Sequence, residues 1–184
     1  MAVQIGGKPD AGFDDPLGML KDCHRRIENF LRVLCYLAES EQEGTLTTDE
    51  CNAAQTALEY FRIGGPKHTE DEEKSLFPRM HAAGAADSLD ALARLEAEHR
   101  EASELHSIVE RLFLSWIARR SLAIADRGAL RAAAIRLKGL YSEHIRLEEE
   151  VVFPRAGQCL NCEALAAIGA EFRARRSVPD HNRR

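Results

Sequence analysis

Apolar residues recur every three or four positions over long stretches of the chain, which is the spacing of an amphipathic α-helix. The first stretch runs from about Pro16 to Ala38. Its apolar face consists of Leu17, Leu20, Ile27, Phe30, Leu31, Leu34 and Leu37. Similar stretches begin at Thr47, near Ser88 and near Asp126, and the alternating pattern of strands is absent from the sequence. The pattern therefore predicts an all-α protein with four long helices.

Local signals place the ends of these helices. The sequence TTDE at Thr47–Glu50 predicts a capping box at the start of the second helix. Within that helix, Gly64–Pro66 predicts a kink or a restart, because proline lacks an amide hydrogen and clashes with the preceding turn. Phe77-Pro78 and Phe153-Pro154 predict the ends of the second and fourth helices. A shorter fifth helix is predicted from about Cys162 to Arg175.

Short connections between long helices favour an up-down-up-down four-helix bundle. We expect three parts in the chain: an N-terminal arm over residues 1–15, the bundle over residues 16–157, and a C-terminal helix with a basic tail over residues 158–184.

The chain contains one segment twice. HTEDEEKSLFPRM begins at His68 and HIRLEEEVVFPRA begins at His144, and six of the thirteen positions are identical. A further histidine precedes each copy, His24 by 44 residues and His99 by 45. Each half thus has one histidine on its first helix and HxxxEE on its second. The sequence predicts a duplicated helical hairpin with a pseudo-twofold axis.

The repeated residues suit a metal site. Residues four apart share one helix face, so the side chains of His68 and Glu72 can bind the same ligand, as can those of His144 and Glu148. Burying two unpaired carboxylates is very costly, and a pair of divalent ions would remove that cost. A lone HxxxE carries little weight, since it is usually a solvated surface pair. The duplication, with His24 and His99 at matched positions, favours metal binding instead.

The ligand types narrow the choice of metal. No thiolate belongs to the set, which argues against a structural zinc site. Imidazole with carboxylate suits iron or manganese, with zinc possible. Two ferrous ions carry four positive charges against two glutamates, so the reduced site remains positive. That charge favours reversible ligand binding or electron transfer over strongly oxidising, high-valent iron.

Over about Pro16–Arg155 the doubled HxxxEE motif, with (L/V)FP after it, resembles the hemerythrin-like (HHE cation-binding) family. The resemblance implies a four-helix bundle whose two iron ions, bridged by oxide or hydroxide, bind O₂ or NO. The implied ligands are His24, His68, Glu72, His99, His144 and Glu148. The spacings are similar to those of bacterial repair-of-iron-centres proteins and of the eukaryotic iron-sensing hemerythrin domain.

One position departs from the oxygen-carrying members of that family. They have a second histidine four residues after the one on the third helix, and here that position is Ser103. The departure implies that one iron ion lacks a protein ligand, which argues against simple O₂ transport.

Other residues near the expected site have two interpretations. Tyr141, one turn before His144, is either a ligand or hydrogen-bond donor, or a core tyrosine. Glu28, one turn after His24, is either an extra oxygen ligand or a solvated glutamate. Glu73 and Glu149 are rotated away from the ligands, so we expect surface pairing or contact with a histidine N–H.

Composition excludes several classes of protein. The net charge of −5 gives no indication of nucleic-acid binding. No run approaches the roughly 20 apolar residues of a membrane helix, and the first dozen residues contain no apolar stretch of signal-peptide length. We expect a cytoplasmic protein with five reduced cysteines, and its oligomeric state stays open.

Three functions remain. The first is a di-iron protein that binds or senses O₂, NO or iron, and it is favoured because no general acid or base is visible. The alternative is a di-iron enzyme of iron-centre repair or of NO or peroxide detoxification. The third is a structural bundle that binds adventitious zinc.

Overall fold

The computed structural model describes residues 10–40, 45–84 and 89–176, all of whose regular elements are helical. In chain order they are α1 (Pro16–Glu39), α2 (Thr48–Asp71), π1 (Glu72–Leu76), α3 (Phe77–Ala82), α4 (Leu89–Arg119), α5 (Ile124–Leu147), π2 (Glu148–Val152), α6 (Phe153–Cys159) and α7 (Cys162–Arg176). Because π1 and π2 join their neighbours without a break, the bundle has four long rods. The predicted all-α bundle with a short C-terminal helix is confirmed.

The start of α2 follows the sequence signal. The Thr47 side chain accepts a hydrogen bond from the backbone of Glu50, and the Glu50 carboxylate accepts one from the backbone of Thr47. The predicted capping box is therefore confirmed. Of the predicted kink or restart at Gly64–Pro66, the restart is wrong, since α2 continues through Pro66 to Asp71, and the kink stays a prediction. Packing of α2 against α1 maintains the helix across a residue that intrinsic propensity disfavours.

The prediction that the Phe-Pro pairs end their helices is also wrong. The second rod continues to Ala82 and the fourth to Cys159. In each, a π-turn precedes the proline: the Phe77 N–H bonds to the carbonyl of Glu72, and the Phe153 N–H to that of Glu148. Each proline then lies in the first turn of a new α segment, where its missing amide hydrogen is tolerated.

The core has two apolar parts. One contains Leu34, Phe113 and Trp116, and the other contains Leu20 and Phe172. The buried histidines and glutamates of the repeat belong to neither part. The polar layer that they form is therefore built within the interior of the bundle rather than at its ends.

Helix α7 packs on α1 and α2, outside the four rods. Asp71 is fully buried there and accepts hydrogen bonds from Arg175, with an Nη1–Oδ1 distance of 2.6 Å, and from Arg176. Gly169 lies so close to the backbone of Phe13 that a Cβ atom would collide with its carbonyl oxygen.

Among the described residues, no helix is both long and apolar enough to cross a membrane.

Candidate metal centre

Six of the predicted site residues meet inside the bundle. His24 comes from α1, His99 from α4, and the other four from the two rods that contain the π-turns. Their side chains form two groups, within each of which one ligand atom per residue lies within 4.8 Å of the others. One group is His24, His68, Glu72 and Glu148, and the other is Glu72, His99, His144 and Glu148. Both groups share both glutamates.

Each glutamate directs one oxygen to each group. Glu72 Oε1 lies 3.5 Å from His68 Nε2, and Glu72 Oε2 lies 3.3 Å from His99 Nε2. Glu148 Oε2 lies 3.0 Å from His24 Nε2, and Glu148 Oε1 lies 3.3 Å from His144 Nε2. Adjacent ligand atoms about 2.1 Å from one metal ion lie roughly 3.0–3.5 Å apart, so these separations suit metal ligands. Both glutamates could therefore be shared between two cations, one at each group.

The inward-facing atoms contact one another across the site but have no hydrogen-bonding partner among the described residues. The Nε2 atoms of all four histidines and the four oxygens of both glutamates are buried without a hydrogen bond in the described part of the chain. Leaving such groups unsatisfied is costly, and coordination to cations satisfies them. The donor set therefore fits a pair of metal ions.

Three of the four histidines are oriented from outside the site. His24 Nδ1 lies 2.8 Å from a Glu149 oxygen, and His99 Nδ1 lies 2.8 Å from a Glu73 oxygen. Both glutamates follow a bridging glutamate and reach a histidine on another helix, in agreement with the expected contact to a histidine N–H. Donation from Nδ1 leaves the Nε2 lone pair free to bind a metal ion and makes it more basic.

The third outer carboxylate belongs to Glu98, whose Oε2 atom lies 2.9 Å from His144 Nδ1. Glu98 could not be recognised from the sequence, because it precedes His99 but contacts a histidine of the next helix. Cys23 is the residue equivalent to Glu98 in the first half, since it precedes His24. His68 Nδ1 is correspondingly buried without a hydrogen bond among the described residues. The two halves thus differ at this outer contact.

The phenylalanines of the Phe-Pro pairs pack on the site. Phe153 stacks on the His24 ring with centroids 5.4 Å apart, and Phe77 is parallel to the His99 ring at 6.4 Å. The π-turns lie between each bridging glutamate and its phenylalanine. Such turns often occur at functional sites. Here they adjust the rotation of the rod so that glutamate and phenylalanine both face inward.

The charges inside the site are strongly coupled. Burial, together with the nearby Glu148 carboxylate, raises the pKa of Glu72 well above its usual value. Burial also acts to raise the pKa of Glu148, but His144 and His24 outweigh it and hold the pKa well below the usual value. Burial and the neighbouring His24 lower the pKa of His68. Coordination requires the carboxylate form of the glutamates and the neutral form of the histidines, so cation binding should weaken as pH falls.

The other three candidates lie outside both groups. The Tyr141 hydroxyl lies 3.1 Å from His106 Nε2, while Glu28 and Ser103 are exposed. Ser103 lines a cavity that reaches His99. The π-turns and the His106–Tyr141 pair leave no signal in the helical periodicity, so neither could be found from the sequence.

Residues 15–156 match the family model "Hemerythrin HHE cation binding domain". The chain belongs to the hemerythrin HHE cation-binding family. An uncharacterized protein of Haemophilus influenzae is 27% identical over 170 residues, which cover 92% of this chain and 95% of that protein. Membership supports cation binding, with iron as the leading cation, and agrees with the two groups of histidines and glutamates.

Proposed function

We propose that the six converging residues bind two iron ions and that the chain binds or senses a small gaseous ligand, O₂ or NO, at this centre. The observation that carries the proposal is the division of the Glu72 and Glu148 oxygens between the two groups. A single ion would use only part of this arrangement. Two ions would engage all four carboxylate oxygens and all four Nε2 atoms.

The protein residues set the charge and orientation of the centre. Two glutamates give it two negative charges, which leave a pair of ferrous ions incompletely neutralised. Glu149, Glu73 and Glu98 hold three of the imidazoles with Nε2 pointing inward. Bound iron would supply a redox-active ion that can accept a small ligand. The shortage of carboxylates favours reversible binding over oxidation of a substrate.

Anaerobic reconstitution with ferrous iron tests the proposal. We expect about two iron ions per chain by elemental analysis, and changes in the absorption spectrum when NO or O₂ is added. Glu148→Ala should lose bound iron, whereas Glu150→Gln should retain it, because Glu150 is exposed on the same π-turn. Stoichiometric zinc with no uptake of iron would contradict the proposal. Catalytic turnover of hydrogen peroxide or NO would instead favour a di-iron enzyme.

A further inference from the structure

A cavity of about 290 Å³ lies between α2 and α4 and extends to the ligand His99. Phe61, Gly65 and Pro66 line it on α2, and Ala102, Ser103 and His106 line it on α4. Tyr141 of α5 contributes to the wall as well. The cavity is therefore adjacent to the candidate metal centre, on the side of His99 and His144.

The cavity arises from a difference between the two halves of the chain. His68 and His144 are 76 residues apart, and the same offset relates Gly65 to Tyr141. The first half thus has no side chain where the second half has a tyrosine. A Cβ atom at Gly65 would have a single neighbour within 4 Å, the Phe61 ring at 4.0 Å. The absent side chain leaves open space between the two helices.

The walls combine aromatic surface with polar side chains, which include Thr69, Glu70 and Ser103 and the His106–Tyr141 pair. The Phe61 and His106 rings lie 4.3 Å apart with 30° between their planes. The His106 Nε2 atom lies 3.1 Å from the Tyr141 hydroxyl, and burial lowers the pKa of His106 to about 4. The imidazole is therefore neutral near pH 7. The pair can exchange hydrogen bonds with a hydroxyl group, but it offers no charge for a carboxylate or a phosphate.

The size of the cavity exceeds the need of a diatomic ligand. An apolar cavity of about 150 Å³ is known to hold benzene, and this one is about twice as large. The volume is sufficient for a planar ring, and an offset or edge contact of such a ring with Phe61 in the cavity wall would be favourable.

We propose that this cavity binds a small aromatic molecule with one hydroxyl group, of the phenol class. Its ring lies against Phe61, and its hydroxyl is directed to the His106–Tyr141 pair beside His99. The proposal deepens the proposed function, on which it rests for the metal ions next to the cavity, because it names a class of molecule that would share the site with them.

Isothermal titration calorimetry of the metal-loaded protein with phenol tests the proposal. We expect one molecule of phenol per chain, and weaker binding of toluene, which has the ring but no hydroxyl group. Gly65→Leu should fill the cavity and lower the affinity for phenol at least about tenfold. Gly139→Leu is the matched control, since Gly139 is exposed on α5 and a Cβ atom added there would have no neighbour within 4 Å, and it should leave affinity unchanged.

Gly65→Ala provides a milder variant whose added methyl group meets Phe61 at an ordinary contact distance. It should fold and reduce the affinity by less than Gly65→Leu does. Metal content is measured on every sample, so absence of metal would count against the proposed function alone. Failure of phenol to bind at millimolar concentration, or equal binding by the wild type and both Gly65 variants, would overturn the assignment of the cavity.

Discussion

At the scale of single residues, the metal centre depends on side chains just outside it. Three carboxylates orient three imidazoles, and each belongs to a helix other than that of its histidine. Only Glu73 and Glu149 could be anticipated, because they repeat with the HxxxEE motif. Glu98 could not, since its partner is set by the packing of α4 on α5 rather than by any spacing along the chain.

Glu98→Gln should weaken metal binding by about ten- to a hundredfold, which is typical when the outer partner of a ligand histidine is removed. The amide is a poorer acceptor, so the His144 ring loses both basicity and a fixed orientation. Competition with a chelator measures the change. Glu104→Gln is the control, because Glu104 is exposed on the same helix. An equal loss of metal affinity in both variants would show that the overall charge of the protein, rather than the contact with His144, controls metal binding.

The partly buried His106 should make the stability of the protein depend on pH. Its pKa of about 4 in the folded protein lies below the value of about 6.5 expected when unfolded. Between these values the unfolded chain binds more protons, so stability falls as pH decreases from about 6.5 to about 4. Over this pH range, protonation of His106 lowers the free energy of unfolding by about 3 kcal/mol at most.

Urea unfolding of the wild type and of His106→Gln at several pH values measures this contribution. Groups common to both proteins cancel in the comparison, so only the difference between the two profiles matters. The wild type should lose more stability on acidification. Parallel profiles would mean that His106 takes up its proton equally in both states.

At the scale of elements, helix type was predictable, but local interruptions were not. Hydrophobic periodicity predicted the long helical rods, because each rod buries one face in the core. The helix boundaries predicted at Pro66, Pro78 and Pro154 are absent from the structure. The effect of a proline depends on whether the carbonyls of the preceding turn find other donors. In π1 and π2 the turn before proline is widened, and in α2 packing on α1 compensates for the lost bond. Neither adjustment is visible in a single sequence.

Pro66 removes one backbone hydrogen bond from α2. Pro66→Ala supplies an amide hydrogen for the carbonyl of the preceding turn, so it should stabilise the protein by on the order of 2 kcal/mol. Gly64→Ala should not give the usual gain of a glycine-to-alanine change, because its Cβ would lie 2.9 Å from the Tyr60 ring. Thermal unfolding of both variants checks the pair. A lower melting temperature for Pro66→Ala would refute the idea that proline is merely tolerated there.

At the scale of the whole molecule, we expect metal binding at the candidate centre to be coupled to the stability of the bundle. The centre places eight inward-facing polar atoms, four nitrogens and four oxygens, between two apolar parts of the core. Without cations those atoms remain desolvated, and their contacts with one another do not satisfy them as hydrogen bonds. The six converging residues could be inferred from the duplication. The docking of α7 through Asp71 could not, because no repeat or spacing relates Asp71 to the two arginines.

Removing metal should therefore lower the melting temperature. At free metal about a thousandfold above the dissociation constant, the stabilisation is about 4 kcal/mol. Differential scanning calorimetry of chelated and reloaded protein measures it. The Glu148→Ala variant should melt at the same temperature with and without added metal. An apo wild-type protein as stable as the loaded one would argue against a buried metal site.

The contact between α7 and the bundle has a separate test. Asp71→Asn leaves two arginines without their buried carboxylate, although both guanidinium groups are partly exposed. We expect a loss of about 2 kcal/mol in urea unfolding, below the full cost of breaking a buried pair. Glu70→Gln removes the neighbouring exposed pair with Lys74 and should cost under about 1 kcal/mol. If the two variants lose equally, the network around Asp71 contributes no more than a surface ion pair.

The division of ligands between the two hairpins has an evolutionary consequence. Each hairpin contributes two imidazoles and one carboxylate, so a single ancestral hairpin that paired with an identical copy would already have offered the same six ligands. Fusion of two such genes would have released the copies from having to serve both sides of the centre. One copy could then keep Glu98 and Tyr141 while the other came to hold Cys23 and Gly65. A homodimer encoded by one gene could not acquire this asymmetry, because its two copies have the same sequence.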